Sequence, residues 1–365
     1  MVVLKCSKST LILNYLMKNK LRTLFYPLSI NFWPLLLLVS QKALVPLGLI
    51  LVNIGDNQYR RNLLVSTVML IMGAVTLFFQ QTNVNAWNHY LGFALFLLSL
   101  PLINYTIAQN REQLIRGLAI LSLFNCVMAI VVYSISIDLS IYRGLNRIVN
   151  IYGITDRVYY ETTSLLIIIS LQFIHNKVFR WISYGIVGLY LIFIAKSLFV
   201  ILLFLINKFL YVLKQGSVLK RLGIFIFIVL LGIIAPTIIS VIRADAVDSL
   251  NWKLLQFTEI LNDTSAPIIG SGWGYTIDGI VKTATQDYQV EMQLPMLVRQ
   301  IGFLGVFIYL TGIFILIRSI SVNLGISILR WAMYVAIGFN NPWLFLPSWY
   351  MTACLMFNEF DHKKI

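Results

Sequence analysis

Long apolar runs, separated by short polar turns, dominate this chain from about residue 23 almost to its end. A soluble domain is about a quarter charged, whereas this sequence is 12% charged and 59% hydrophobic, with a mean hydropathy of +0.83. Because so little polar surface is available to face water, most of the chain requires lipid as its solvent. The sequence therefore predicts an all-α, polytopic integral membrane helical bundle, with residues 1–365 forming a single membrane domain.

About twelve transmembrane helices are predicted. The candidate spans are 23–40, 43–57, 63–81, 86–105, 115–136, 162–176, 180–195, 197–213, 221–242, 295–318, 322–339 and 341–358. Residues 1–22 hold five Lys and Arg residues around short apolar patches. This segment is predicted to be a basic interfacial helix on the cytoplasmic face.

Basic residues indicate the orientation of the bundle, because short cytoplasmic loops carry an excess of Lys and Arg. With a cytoplasmic N-terminus, the short outward turns hold only Lys42 and Lys196. The inward loops then hold Arg60, Arg61, Arg111, Arg116, Lys177, Arg180, Lys214, Lys220, Arg221, Arg318, Arg330, Lys363 and Lys364. Both termini are therefore predicted to be cytoplasmic. The same pattern accounts for the net charge of +14, and no nucleic-acid partner is expected, since no basic stripe interleaved with aromatic residues lies outside the spans.

Two longer loops, 137–161 and 243–294, both face outward in this topology. Together they hold ten of the fourteen acidic residues of the chain: Asp138, Asp156, Glu161, Asp245, Asp248, Glu259, Asp263, Asp278, Asp287 and Glu291. Both loops are also rich in Tyr, Trp, Ile and Gly, so we expect them to be ordered and docked on the bundle. Long loops in compact proteins are commonly functional, which predicts that the active face lies outside the membrane.

Three alternating glycines, Gly270, Gly272 and Gly274, mark the second loop. Such spacing permits tight backbone turns and a close approach to a ligand. The simpler alternative is a plain surface turn. A nucleotide-binding loop is excluded, because no Lys-Ser or Lys-Thr pair follows and the strand–loop–helix context is missing.

Glu291 directly precedes a span that Pro295 is predicted to open in its first turn. A carboxylate at the membrane boundary is costly unless it is paired or functional. Burial would raise its affinity for a proton toward the value that suits a general base. The alternative is an interfacial Glu291 paired with Arg299, two helical turns further along the same face.

Basic residues in the outward loops are the other half of a possible site. They are Arg143, Arg147 and Arg157 in the first loop, and Arg243 and Lys253 in the second. Arginine binds phosphate oxygens in a planar, bidentate manner, so such a cluster beside a bilayer fits a lipid pyrophosphate. Pairing with the local acids is the alternative for each of them, and Lys196 could simply extend to the lipid headgroups.

No metal or cofactor is expected. The chain has only three histidines, and its three cysteines, Cys6, Cys126 and Cys354, lack the spacing of metal ligands.

These features resemble the O-antigen polymerase (Wzy) and O-antigen ligase superfamily. The architecture is similar over most of the chain: many spans, two unequal outward loops, and the larger loop shortly before the last spans. The family's loop pattern reads here as Lys253, Pro267, the glycine segment 270–274, Glu291 and then Gly302, with Gly305 and Tyr309 following. Upstream, Ala195-Lys196-Ser197 is similar to a Ser-Arg or Ser-Lys turn of the family, and Arg147 with Gly153 resembles its smaller-loop arginine.

The resemblance implies a glycosyltransferase of a bacterial inner membrane that polymerises undecaprenyl-diphosphate-linked oligosaccharide repeats of O-antigen, capsule or exopolysaccharide. It would act at the periplasmic face by metal-independent, inverting transfer. Glu291 would be the base, and Arg147 and Arg243, with Arg143, Lys196 or Lys253, would bind the pyrophosphate. Gly270, Gly272 and Gly274 would shape the loop over the substrates. Expected partners are membrane lipid, a chain-length-regulating co-polymerase and a flippase.

Two departures from the family pattern bear on the choice of reaction. The ligases typically place His where this chain has Glu291, which favours polymerase over O-antigen ligase. Lys253 stands where Arg is common, so Arg143 or Arg243 would take over a bidentate phosphate contact. A flippase or transporter of lipid-linked sugars is the third possibility, and it predicts charged residues within the spans along a central path.

Overall fold

The computed structural model describes residues 56–78, 84–135, 145–149, 155–160, 177–197, 246–263, 268–275, 292–339 and 343–357, together with a few positions between 200 and 223. The described part is mostly helical. Its helices are α1 Asn57–Leu77, α2 Val84–Ile135, α3 Lys177–Leu189, α4 Ala246–Asn262, α5 Gln293–Arg318, α6 Leu324–Ile337 and α7 Pro347–Leu355. A π-helical segment, Tyr190–Ile194, extends α3, and two strands, β1 Leu145–Val149 and β2 Thr155–Tyr160, form a hairpin.

Four helical segments of the described part are long and apolar enough to cross a membrane. They are Asn57–Leu77, Ala86–Gln109, Gly117–Ile135 and Gln293–Arg318. These segments overlap the predicted spans 63–81, 86–105, 115–136 and 295–318, so the structure confirms a mostly helical chain and is compatible with a membrane protein. The predicted spans 23–40, 43–57, 162–176 and 221–242 lie wholly or largely outside the described residues. The count of about twelve therefore stays a prediction.

Exposed apolar faces show how these helices meet their surroundings. Exposed apolar residues lie on one face of α1 and its C-cap at helical spacing: Leu64, Ile71, Val75 and Phe78. On the opposite face, Asn62, Ser66 and Met69 are buried. A soluble protein would rarely expose such a continuous apolar stripe. The arrangement is the one expected of a helix with lipid on one side and protein on the other.

Helix α2 corrects one prediction. The sequence analysis places Arg111 and Arg116 in a loop between two spans, but the structure continues the helix through both residues. The intervening sequence lacks Pro and Gly and is rich in Gln, Glu, Arg and Leu, which favour helix. Fifty-two residues of straight helix would measure about 78 Å, more than twice the roughly 30 Å hydrocarbon core. Its two apolar halves therefore count as separate candidate spans.

Arginines bind backbone carbonyl groups at one end of the bundle. Arg111 donates through Nη2 to the carbonyl oxygen of Ile320, at 3.0 Å, just beyond the end of α5. Arg330 is fully buried, and it donates to the carbonyl oxygen of Met356 at 2.9 Å and to Ser321 Oγ at 3.0 Å. Arg330 was predicted to lie in an inward loop, but it lies within α6. These partners satisfy its donors, which is why the helix tolerates it there.

Asn104 connects three helices in the interior of the bundle. Its Nδ2 donates to the carbonyl oxygen of Leu316 on α5, at 2.9 Å, and its Oδ1 accepts from the hydroxyl group of Tyr350 on α7, at 2.8 Å. Since Asn104 belongs to α2, this buried amide fixes the relative height of α2, α5 and α7.

Both outward loops of the sequence analysis contain regular structure. The first holds the antiparallel hairpin β1–β2, in which Leu145 pairs with Tyr160 and a register shift lies between Ile148 and Val149. The second holds α4. The hairpin is an addition to the predicted all-α fold, and its strands are five and six residues long, too short to give a clear signal in the sequence.

Candidate functional site

A break in helix α5 organises the part of the second loop that the structure describes. Gly302 has φ 73° and ψ 170°, so the helix Gln293–Arg318 changes direction there. Pro295 lies in the first turn of α5, as predicted. The segment 268–275, which we call the glycine loop, packs directly against the break.

Backbone hydrogen bonds from the glycine loop replace those that the helix loses. The amide groups of Ser271 and Gly272 donate to the carbonyl oxygens of Arg299 and Gln300, at 2.7 and 2.9 Å. In an unbroken helix these oxygens would accept from residues 303 and 304. The freed amide of Leu304 donates instead to the carbonyl oxygen of Ile268, at 3.3 Å. Helix and loop therefore satisfy each other's polar backbone groups.

Glycine is required at the contact points for two separate reasons. Gly270, Gly272 and Gly274 have φ values of 87°, 99° and 76°, in the left-handed region that side chains disfavour. A Cβ atom on Gly270 would also lie 2.5 Å from the carbonyl oxygen of Gln300, and one on Gly274 would lie 2.6 Å from the amide nitrogen of Ala86. The plain surface turn considered in the sequence analysis does not describe this docked and largely buried loop.

Trp273 anchors the glycine loop to the bundle. The side chain is fully buried, and its Nε1 donates to the carbonyl oxygen of Gly73 on α1, at 2.8 Å. Its ring lies 4.9 Å from that of Phe93 on α2 and 6.3 Å from that of Phe345. The loop is thus held by α1 and α2 as well as by α5.

Arg299 connects α5 to the end of α4. Its side chain is buried, and Nε and Nη2 donate to the carbonyl oxygen of Ile260 at 2.9 and 2.6 Å. Nη2 also lies 3.4 Å from the carbonyl oxygen of Leu261. A cation at the carbonyl end of a helix complements the helix dipole. The structure thus uses Arg299, which the sequence analysis considered only as a partner for Glu291, to cap α4.

Lys196 forms an ion pair with the hairpin. Its Nζ lies 2.6 Å from Asp156 Oδ1 on β2, and both side chains are partly exposed. The π-helical segment ends just before it, and the amide of Ala195 donates to the carbonyl oxygen of Tyr190 at 2.7 Å. Lys196 itself has φ 48°, a strained backbone for a side chain other than glycine. Pairing with a local acid, rather than simple extension to headgroups, is what the structure shows for this lysine.

The remaining predicted site residues are described to different extents. Arg147 lies in β1, opposite Val158 of β2. Lys253 lies on α4 and is half-buried. Glu291, Arg143 and Arg243 lie outside the described residues. The structure thus places Gly270 and Gly272 against α5, Gly274 against α2, and Lys196 beside the hairpin that contains Arg147.

Three features of the site were not predicted from the sequence: the break at Gly302, the cap that Arg299 forms on α4, and the ion pair of Lys196 with Asp156. Only the break had a signal in the sequence, because Gly302 lies in an apolar run and a glycine in that position weakens a helix. Among the residues that the structure describes, no three His, Cys, Asp or Glu side chains lie together as a metal site would require.

Comparisons of the chain with protein-family models, with curated proteins and with solved structures find no match.

Substitution of Gly270 by alanine is expected to destabilise the protein. The left-handed φ alone costs about 1–2 kcal/mol for an L side chain, and the new Cβ would push the loop off the helix break. The apparent melting temperature of the detergent-solubilised protein should therefore fall clearly in G270A. The matched control is G92A, because Gly92 lies within α2 with open space around it. Equal melting temperatures for the two variants would contradict the role given to the glycine loop.

Replacement of Arg299 by lysine keeps the charge but removes the pair of hydrogen bonds from Nε and Nη2 to the carbonyl oxygen of Ile260. A charge-assisted hydrogen bond contributes about 1.5–3 kcal/mol, so amide hydrogen exchange in α4 should accelerate by about tenfold or more. The control is R318K, since Arg318 also donates to a backbone carbonyl, that of Ser321, at 2.8 Å. R318K should leave exchange in residues 246–262 unchanged, and a similar acceleration in both variants would argue against a specific cap.

Proposed function

We propose that this protein is a polymerase of undecaprenyl-diphosphate-linked oligosaccharide repeat units in a bacterial inner membrane. The glycine loop docked into the break of α5 supports this most, because its backbone hydrogen bonds fix part of the second loop against an apolar helix long enough to span a membrane. Met292, the residue after Glu291, is buried beside Ile260 and Met296. Met292, which directly follows the proposed base in the sequence, therefore packs next to α4.

In the proposed reaction, a hydroxyl oxygen of one lipid-linked sugar attacks the anomeric carbon of the other. The bond between that carbon and the pyrophosphate oxygen breaks, and the configuration at the carbon inverts. Glu291 takes the hydroxyl proton, and the electron pair departs with undecaprenyl pyrophosphate. Arg147 and Arg243, with Arg143, Lys196 or Lys253, stabilise the charge that develops on this leaving group.

Two buried arginines bear on the transporter alternative. A transporter of charged lipid-linked sugars needs charged side chains along its path. Arg299 and Arg330 are buried in helices, but both donate to backbone carbonyl groups of neighbouring segments. Those contacts give each a structural role, which favours an enzyme with its chemistry in the outward loops over a transport path through the bundle.

Loss of Glu291 should abolish polymer formation. In a strain that lacks the gene, wild-type protein should restore a ladder of surface glycan on a gel, whereas E291A and E291Q should leave single capped repeat units, because no group removes the hydroxyl proton. A general base contributes about 10²–10⁴-fold. E259Q, which alters another acid of the same loop, serves as the matched control and should restore the ladder. Membrane levels of each variant are checked by immunoblot.

Each other outcome of this experiment points elsewhere. Free polymer that is never attached to its final acceptor would indicate the ligase. A normal ladder in the deletion strain would exclude the polymerase and favour the transporter. A ladder restored by E291A would leave the polymerase without its proposed base.

The Lys196–Asp156 pair offers a second test, which separates substrate binding from a purely structural ion pair. If Lys196 stabilises the pyrophosphate, K196A should lose about 10²-fold in polymer yield, and D156N, which retains the cation, should keep most of its activity. If the pair only holds the hairpin to the π-helical segment, the two variants should lose activity equally. The measurement is polymer formed from radiolabelled lipid-linked repeat units in membranes, normalised to protein level.

A further inference from the structure

Helix α4 carries an exposed apolar stripe. Leu250, Leu254, Phe257 and Leu261 follow the spacing i, i+4, i+7 and i+11, which places them along one face. The three leucines are 58%, 55% and 60% exposed, and Phe257 is partly buried. The stripe borders the buried face of α4, where Gln256 and Ile260 lie, and Phe257 at this border packs against the cluster of Ile260, Met292 and Met296.

Polar residues occupy the flank of α4 beyond the stripe. Asn251, Thr258 and Asn262 are exposed. Each directly follows a residue of the stripe and is rotated from it by about 100° around the helix axis. The helix thus has one face against protein, one exposed apolar face, and one exposed flank that is mainly polar and also holds Leu255. That division is typical of a helix lying in a membrane interface.

Contacts with α5 fix the height of α4 relative to the membrane. Ile260 packs against Met292 and Met296 in the first turns of α5. Arg299 holds the carbonyl end of α4 one turn before the break at Gly302. Since α5 is a candidate membrane span, α4 lies at the end of that span rather than away from the bilayer.

Exposed apolar side chains are also found on the glycine loop and on α5. The glycine loop, which follows α4 along the chain, exposes Ile268 and Ile269. The carbonyl oxygen of Ile268 accepts from the amide of Leu304, and Leu304 is itself exposed, like Phe303 and Phe307. The glycine loop and the spanning part of α5 thus present apolar residues to their surroundings, as α4 does.

We infer that α4 is an interfacial helix whose stripe, Leu250, Leu254, Phe257 and Leu261, lies among the acyl chains of the adjacent leaflet, predicted to be the outer one. Arg299 and the cluster of Ile260, Met292 and Met296 hold α4 at the first turns of α5, a candidate span, so the bilayer that surrounds α5 is within reach of the stripe. An interfacial helix buries its apolar face about 5–10 Å into the boundary between headgroups and acyl chains. This inference does not depend on the proposed function. The interfacial position of α4 would hold this part of the second loop at the level of the lipid headgroups, whatever reaction the protein catalyses.

Adjacent residues on two faces of α4 provide the test. The variants L261C and N262C are made in full-length protein whose three native cysteines are replaced by alanine, and each is labelled with a small fluorophore. The protein is reconstituted into phosphatidylcholine–phosphatidylglycerol vesicles that contain a phospholipid with a nitroxide near the top of its acyl chain. Nitroxide quenching at position 261 should exceed that at position 262 by about twofold or more, and aqueous iodide should show the reverse order.

Two results would overturn the inference. Equal quenching of both positions by iodide, with little quenching by the lipid nitroxide, would place the stripe in water. Protection of position 261 from both quenchers would mean that protein covers the stripe, either a second copy of this chain or another part of it. The variant L254C, one position further along the stripe, repeats the measurement in case L261C disturbs the contact of Arg299.

Discussion

A spanning helix that breaks leaves peptide N–H and C=O groups without partners, and each such group costs several kcal/mol in hydrocarbon. In this protein the break at Gly302 is stable because the glycine loop supplies the missing donors and acceptor. The loop in turn has its shape because three glycines adopt left-handed φ values, and two of them, Gly270 and Gly274, approach the backbone of α5 and α2 more closely than a side chain would permit. The position of the glycine loop depends on this exchange of hydrogen bonds.

The same contact explains how distant parts of the chain are held together. Trp273 ties the loop to Gly73 on α1, and Arg299, three residues before the break, caps α4. The glycine loop, α1, α4 and α5 are thus joined by hydrogen bonds to backbone carbonyl groups. A substitution at this contact should therefore affect α1, α4 and α5 together. Arg111 and Arg330, at the other end of the bundle, bind a separate set of carbonyl groups.

Hydropathy was sufficient to predict the helical, membrane-embedded character of the chain, because apolar runs of the required length have few other structures in lipid. It failed for features that depend on partners far away in sequence. Whether Gly302 interrupts a helix is decided by residues 268–272, and the capping role of Arg299 is decided by the position of α4. Arg330 was assigned to a loop because charge alone was considered, but the carbonyl of Met356 makes its position within α6 favourable.

The candidate site was predictable to a more limited degree. Residue types and spacing drew attention to the glycines and to Lys196, and the structure gives each a defined environment, but the spacing did not reveal that the glycines serve the helix break. Side-chain contacts alone would leave the position of the glycine loop dependent on side-chain rotamers, whereas the backbone bonds on both sides of Gly302 fix it to α5.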